Sequence, residues 1–239
     1  MKIYSSTLVP QAKVAFTSTV EGNLAGHVGD DPFKVAENRQ ALERQLGIEA
    51  TPVAYMNQVH SAIVVDAVAP NVGEAPTADG LLSRDARQPL AVMVADCVPL
   101  VFVGRRGDDQ DPVSAVAHAG RKGLLDGVIE NTMAAMKDAG AQEIEAWIGP
   151  AICGKCYEVP EDMQQESEAS RPGISSTTSW GTPALDLPKT AASIVREAGG
   201  TVHETGICTL ENDTYFSYRR NAKTGRLAGV VWIAPEGQQ

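Results

Sequence analysis

Histidine and cysteine are the residue types in this chain whose placement most readily does chemistry, and three of them share a local setting. His60 falls in NQVHS (57–61), Cys97 in VADC (94–97) and His118 in AVAHAGRKG (115–123). Each lies at or beside the end of an apolar segment, where a strand gives way to a turn. In sheets flanked by helices, such ends are where sites are built. A thiolate with two imidazoles is a ligand set for a catalytic zinc whose fourth position is left to water. That metal lowers the pKa of its water to about 7 and supplies hydroxide at neutral pH. The three residues form no compact motif, however. Taken singly, a histidine satisfied by backbone or an inert buried cysteine is the commoner outcome. Cys97 as nucleophile with His118 as its base, in a metal-free hydrolase, is a further reading.

Gly120, Arg121, Lys122 and Gly123 follow His118 and lead into an apolar-periodic stretch. Free N–H groups, the positive end of a helix and two cations would together favour an anion there. An ordinary turn with solvated basic residues is the alternative, and the glycine spacing is not that of a phosphate-binding P-loop. CGKC (153–156) has thioredoxin-like spacing. The residues after it, Tyr157 to Pro160, look extended rather than helical, so a structural role or fortuitous spacing is preferred to redox chemistry. FSYRR (216–220) with TGR (224–226) is a cationic, aromatic turn, either a surface hairpin or a substrate wall.

The elements that must position these groups can be read from periodicity. Residues 30–47 read as a helix with Asp31 as N-cap, Pro32 at the first position and Gly47 as stop; Phe33, Val35, Ala36, Leu42 and Leu46 supply its stripe. Residues 51–68 read as two short strands around the NQVHS kink. The valine-rich run 89–104 reads as buried strand, interrupted by Asp96 and Cys97 and deprived of one ladder hydrogen bond by Pro99. Residues 111–120 are a further strand. Leu124, Leu125, Val128, Ile129, Thr132, Met133 and Met136 recur at three and four, predicting one helix over 123–139. Strand is expected over 143–149 and 227–234, helix over 184–200, and loop in part of the polar span 160–182. This partial alternation favours mixed α+β over a doubly wound parallel sheet.

The chain has 239 residues, enough to bury a core without staples, and a formal net charge of −10. That balance argues against a nucleic-acid or anionic-membrane partner. The N-terminus shows no apolar signal region and no stretch approaches a membrane span, so a cytoplasmic protein is expected. The four cysteines then read as free, metal-binding or catalytic rather than paired.

Taken together and in order, NQVHS, VADC, AVAHAGRKG, IGPAICGKCYEVP (148–160) and YFSYRRNAKTGRLAGVVWI (215–233) strongly resemble the YfiH family, also called the laccase-domain or polyphenol oxidase family. GHVGDDPFKVAENR (26–39) is similar as well. The resemblance covers nearly the whole chain. It implies a single α+β domain over 1–239, with mixed β-sheets flanked by helices, and a metal site at His60, Cys97 and His118. Members of the family look like purine nucleoside enzymes that phosphorolyse adenosine, inosine, guanosine and methylthioadenosine and deaminate adenosine. Zinc is the implied metal, with copper, and phenol oxidation, as the alternative behind the older family name.

The residues themselves favour the nucleoside activity. Phosphorolysis needs an anion site, which the 120–123 turn can supply, and deamination needs an activated water. A multicopper laccase needs a histidine-rich cluster, and only His27 and His203 remain once His60 and His118 are used. A lone copper with Met56 or Met93 as weak axial ligand stays open. The expectation is therefore a zinc-dependent purine nucleoside phosphorylase with adenosine deaminase activity, monomeric or homodimeric, acting on purine nucleosides and phosphate. Cys97, His118 and Asp96 are its catalytic residues, and Gly120, Arg121 and Lys122 bind phosphate. Asp96, adjoining Cys97, is favoured over Asp79 as acid–base or supporting carboxylate, with a plain turn role as the alternative for both. Two departures from relatives bear on substrate preference and rate. TSTVEGN (17–23) shortens the N-terminal loop that usually carries an arginine and a glycine pair, and Lys122 stands where an arginine is usual, which loses bidentate geometry. A non-catalytic nucleoside-binding module is the reading in which those losses have ended catalysis.

Overall fold

The valine-rich run does not form one strand: it feeds two different sheets. The structure is a computed structural model describing residues 1–67, 74–107 and 110–234, so residue 68 of the 51–68 stretch and the last five residues of the chain lie outside the described residues. In chain order the elements are β1 (Lys2–Ser5), β2 (Ala12–Phe16), α1 (Pro32–Leu46), β3 (Val64–Asp66), β4 (Gly80–Ser83), β5 (Leu90–Val94), β6 (Val98–Arg105), β7 (Val113–Ala119), α2 (Arg121–Leu125), α3 (Val128–Asp138), β8 (Glu143–Ile148), α4 (Glu161–Ser170), β9 (Ser175–Thr177), β10 (Pro183–Leu185), α5 (Leu187–Glu197), β11 (Thr201–Glu204) and β12 (Leu227–Ile233). One sheet has the order β1-β2-β12-β5 and the other β11-β8-β6-β7-β4-β3; β9 and β10 form a separate hairpin. The larger sheet is mixed, with β3·β4 and β11·β8 parallel and its other pairs antiparallel. The fold class is α+β, as the sequence predicts.

Period-two alternation sorts the core into layers. On β6, Leu100 and Phe102 face α3 and α5, whereas Val101 and Val103 face the smaller sheet. The smaller sheet's other face packs Ala91, Met93, Ala228 and Val230 against Leu42 and Leu46 of α1. The order is thus helix, sheet, sheet, helices. Among the described residues, no helix is long and apolar enough to cross a membrane.

The start and stop of α1 follow the sequence. The Asp31 side chain accepts from the N–H of Phe33, and Gly47 ends the helix in the left-handed region (φ 69°). Its stripe is narrower than predicted, because Phe33 and Ala36 are exposed. The predicted helix 123–139 is two helices. Gly127 (φ 94°) turns the chain between α2 and α3, a conformation the apolar period does not reveal. The first strand expected within 51–68 is an extended segment with isolated bridges at Ala54 and Asn57 in place of a ladder. Pro52 has no N–H to give, and the Gln58 side chain pins the segment by accepting from Met93 N (2.8 Å) and donating to Met93 O (2.7 Å). Within 160–182, the span 161–170 is helical although only Ser167 of it is buried.

Away from the residues singled out for chemistry, Glu145 on β8 anchors the N-terminal segment. Its carboxylate accepts from Ser6 Oγ (2.5 Å), Thr7 N (3.0 Å) and the Thr7 hydroxyl. Burial opposes ionisation, but these donors hold its pKa below the usual carboxylate range. A depressed folded-state pKa stabilises the fold above the unfolded value of about 4.3, and that stabilisation is lost as pH falls through the folded-state pKa. Glu145→Gln is expected to flatten the acid limb of Tm against pH; an unchanged limb would contradict this account.

Candidate metal centre

Strand register brings the site together. Gly80 pairs with Ala117 across β4 and β7, so the next pair outward is Asp79 with His118; His118 pairs with Pro99 of β6 and Ala119 with Val98, so the next is Gly120 with Cys97. The His118 N–H donates to Asp79 O (2.7 Å), whereas Pro99 turns its carbonyl the other way, to Gly149 N (3.0 Å). His60 arrives from the loop before β3. Its backbone lies in the left-handed region (φ 60°), an uncommon conformation for a non-glycine residue.

Asp79, fully buried, holds that conformation. Oδ1 accepts from His60 N (3.0 Å) and His118 Nδ1 (2.8 Å), and Oδ2 from Val59 N (3.2 Å), Ser61 N (2.6 Å) and Ser61 Oγ (2.7 Å). Burial opposes ionisation of Asp79, but the His118 and Ser61 hydrogen bonds hold its pKa well below the carboxylate range. With Nδ1 engaged, His118 presents Nε2 to the site, the arrangement in which a carboxylate orients a ligating imidazole.

His60, Cys97 and His118 each offer a ligand atom, and these atoms all lie within 4.8 Å of one another. Cys97 Sγ is 3.7 Å from His60 Nε2, and the two imidazole rings stand edge to face with centroids 4.7 Å apart. Burial opposes ionisation of the Cys97 thiol, yet the charge and hydrogen bonding of His118, with His60, lower its pKa to about 6. Burial likewise opposes protonation of His118, and the Cys97 thiolate and Asp79 raise its pKa to about 9. A readily ionised thiol with two imidazoles suits zinc or copper rather than magnesium or calcium. The residues therefore fit a metal, and Gly120 leaves room for it. A Cβ there would lie 2.5 Å from His60 Cδ2 and 3.2 Å from Cys97 Sγ. Gly120→Ala is expected to cost at least about tenfold in metal affinity. Unchanged metal content under competition with a chelator would show that the glycine is not needed.

Asp96 turns the chain from β5 into β6 with φ 83°. Its carboxylate accepts from Thr209 Oγ1 (2.6 Å), Ser217 Oγ (3.1 Å) and Arg219 N (2.6 Å), and its carbonyl from Ile152 N (2.9 Å). These bonds fix the corner that presents Cys97.

Two cavities meet at the cluster. One of about 400 Å³ is lined by His60, Cys97 and His118 together with His27, Tyr218 and Arg226. A second, of about 220 Å³, lies beside Cys97 and includes Arg121, Tyr157, Tyr218 and Arg219. Arg121 also donates to Glu166 (3.3 Å) and Ser167 (3.2 Å), and Arg219 donates to Glu158 O (2.9 Å). Lys122 is exposed and paired with Asp126 at the surface. The helix bearing Arg121 spans five residues, so a long helix end does not point at the site. His203 stacks on Trp147 instead, with centroids 4.8 Å apart. Met93 lines the larger cavity with its sulfur 3.9 Å from Arg39 Nη2, whereas Met56 is buried between the sheets. His27, Tyr218, Arg219 and Arg226 come from loops remote in sequence. The aromatic, cationic composition of 216–226 signals the last three beforehand, but not His27.

A family model described as multi-copper polyphenol oxidoreductase laccase matches residues 13–234. The chain belongs to this family. A Streptomyces griseus member named purine nucleoside phosphorylase ORF3 is 44% identical over 221 residues, covering 89% of this chain and 87% of the relative. The crystal structure of Neisseria meningitidis NMB0706, of family DUF152, superposes with a TM-score of 0.81 at 35% identity, covering 97% of this chain and 96% of that one. Bacillus licheniformis YfiH shares the fold at 24% identity, with a TM-score of 0.79 and 93% of each chain covered. This laccase-domain chain thus combines relatives named for nucleoside phosphorolysis with a cluster able to hold a metal.

Proposed function

We propose that this chain is a zinc-dependent purine nucleoside phosphorylase that also deaminates adenosine. One observation carries the reading: the His60–Cys97–His118 cluster opens to a cavity of small-molecule size and borders a smaller one containing two arginines. The name of the Streptomyces relative supports the same activity. When bound, zinc supplies Lewis acidity and an acidified water, the chemistry that deamination requires.

In phosphorolysis a phosphate oxygen forms a bond to ribose C1′ while the C1′–N9 bond breaks, its electron pair leaving with the purine. Arg121 and Arg219 offset the phosphate charge from the smaller cavity, since guanidinium groups take oxyanions in pairs of hydrogen bonds. Lys122, exposed and paired with Asp126, adds only a longer-range charge, and Gly120 keeps the approach open. The larger cavity takes the nucleoside. Burial, Arg226 and Arg39 lower the His27 pKa, so its imidazole is neutral at pH 7 and offers the purine one donor and one acceptor. Tyr218 lines both cavities and stands between base and phosphate. Asp96 acts by positioning Cys97.

Arg121→Ala is expected to lower kcat/KM for phosphate by roughly 10–100-fold, the scale of a charged hydrogen bond, and Lys122→Ala by only a few-fold. Equal effects would contradict this division. The activity itself is tested by incubating the protein with inosine or adenosine, with and without phosphate. Ribose 1-phosphate and free base, formed only with phosphate, are expected. Free ribose without phosphate, or unchanged nucleoside, would overturn the reading.

The family description favours a second reading, a copper-dependent phenol oxidase. Of the four histidines, only His27, His60 and His118 reach this cavity, which is too few for a multicopper cluster. Copper in the purified protein together with phenol oxidation would establish that reading instead.

A further inference from the structure

The CGKC stretch takes no part in the site described so far, yet it is built around three sulfurs. Cys153 and Cys156 flank a tight turn in which the N–H groups of Cys156 and Tyr157 both donate to Cys153 O at 2.9 Å. Cys208 is carried alongside by a bridge to Ala151, reinforced by Ala151 N to Ile207 O (3.2 Å) and Thr209 N to Ala151 O (3.0 Å). The Cys153 N–H points at Cys208 Sγ, 3.5 Å away. Glu211 lies at the open edge. The three sulfurs and a Glu211 carboxylate oxygen all fall within 4.8 Å of one another, and the three cysteines are unbridged.

We propose that Cys153, Cys156, Cys208 and Glu211 form a second metal site, a structural zinc centre separate from His60, Cys97 and His118. A Cys-x-x-Cys turn supplies two thiolates, a distant cysteine the third and a carboxylate the fourth ligand, a closed tetrahedral set of the structural kind. Zinc–sulfur bonds of about 2.3 Å place sulfurs roughly 3.8 Å apart, so side-chain rotation suffices to close the cluster. Soft thiolates select zinc over magnesium or calcium. The backbone of the turn is held in place, since a Cβ on Gly154 would lie 2.6 Å from the Asp186 side chain.

The ion would clamp two segments that position the first site. Ile152, next to Cys153, donates its N–H to Asp96 O (2.9 Å), and Thr209, next to Cys208, donates to Asp96 Oδ1 (2.6 Å). Tyr157, next to Cys156, lines the smaller cavity. Zinc here steadies the corner that presents Cys97 without touching substrate. Loading it displaces the protons of the three thiols to solvent.

The test is metal content of the full chain, purified without added metal, beside Cys97→Ala and the pair Cys156→Ser with Cys208→Ser. Wild type is expected to carry about two zinc equivalents and each variant about one. Cobalt-loaded Cys97→Ala should show the intense sulfur-to-metal charge-transfer absorption of several thiolates, and a chelator should lower its Tm. If the double variant does not fold, the Cys97→Ala stoichiometry and cobalt spectrum still decide. A wild type with one zinc that Cys97→Ala loses would overturn the second site alone. A disulfide among the three cysteines in active protein would overturn it as well. One zinc that Cys97→Ala retains would instead leave the second site standing and overturn the first.

Discussion

Cys97→Ala is expected to empty the His60–His118 cluster of metal and to lower kcat for phosphorolysis on the order of 10³-fold or more, the upper scale for loss of a group acting directly on the reacting centre. Cys97 is the sole thiolate of its cluster, it borders both cavities, and its low pKa makes it the ligand that carries negative charge to the ion. The fold should survive, because Asp96 and not Cys97 holds the corner between the two sheets. Metal analysis and steady-state kinetics on the same preparation check both halves. Full activity with unchanged metal in the His60–His118 cluster would show that Cys97 is a bystander.

Asp79→Ala is expected to be the most damaging change that touches no ligand cavity. It removes the acceptor for His118 Nδ1, a buried donor left without its partner, and for three consecutive part-buried backbone N–H groups. Breaking a buried charge-assisted pair from one side costs about 3–5 kcal/mol, enough to lower Tm by several degrees. Asp79→Asn keeps the volume and much of the stability, and isolates the effect on the metal. With one oxygen left, it can no longer both orient the His118 imidazole and accept from the N–H groups of Val59, His60 and Ser61, and the His118 ligand loses basicity. Metal affinity should fall roughly 10–100-fold. An Asn variant with undiminished affinity would mean that His118 is oriented by packing alone.

What the sequence disclosed follows from the range of the forces involved. Continuous apolar runs over 98–105 and 113–119, and the caps of α1, depend on neighbours a few residues apart, and strand and helix form there as local patterning expects. The chemical types of His60, Cys97 and His118 at segment ends marked the cluster, and the resemblance to the laccase-domain family singled out those three. The rest depends on distant partners. That β5 and β6 belong to different sheets rests on a left-handed Asp96 held by Thr209 and Ser217, more than a hundred residues away. Asp79, ranked below Asp96 from sequence, holds His60 and His118 because β4 and β7 pair in one register. The break at Gly127 is a single backbone angle inside an otherwise unbroken apolar period. The polar helix α4 has almost no buried face for a periodicity to report. Arg219 and Tyr218 join the cavities through loops whose course no local pattern sets.

On the proposed function, metal held by His60, Cys97 and His118 is required for phosphorolysis. Phosphate-dependent release of base from inosine is followed in protein stripped by a chelator, then after zinc is restored, with Cys97→Ala carried in parallel. Stripped wild type is expected to be inactive and to be revived by zinc, and Cys97→Ala is expected not to be revived. Activity that survives stripping and is abolished by thiol alkylation would contradict that requirement, and would hand Cys97 and His118 to metal-free nucleophilic catalysis.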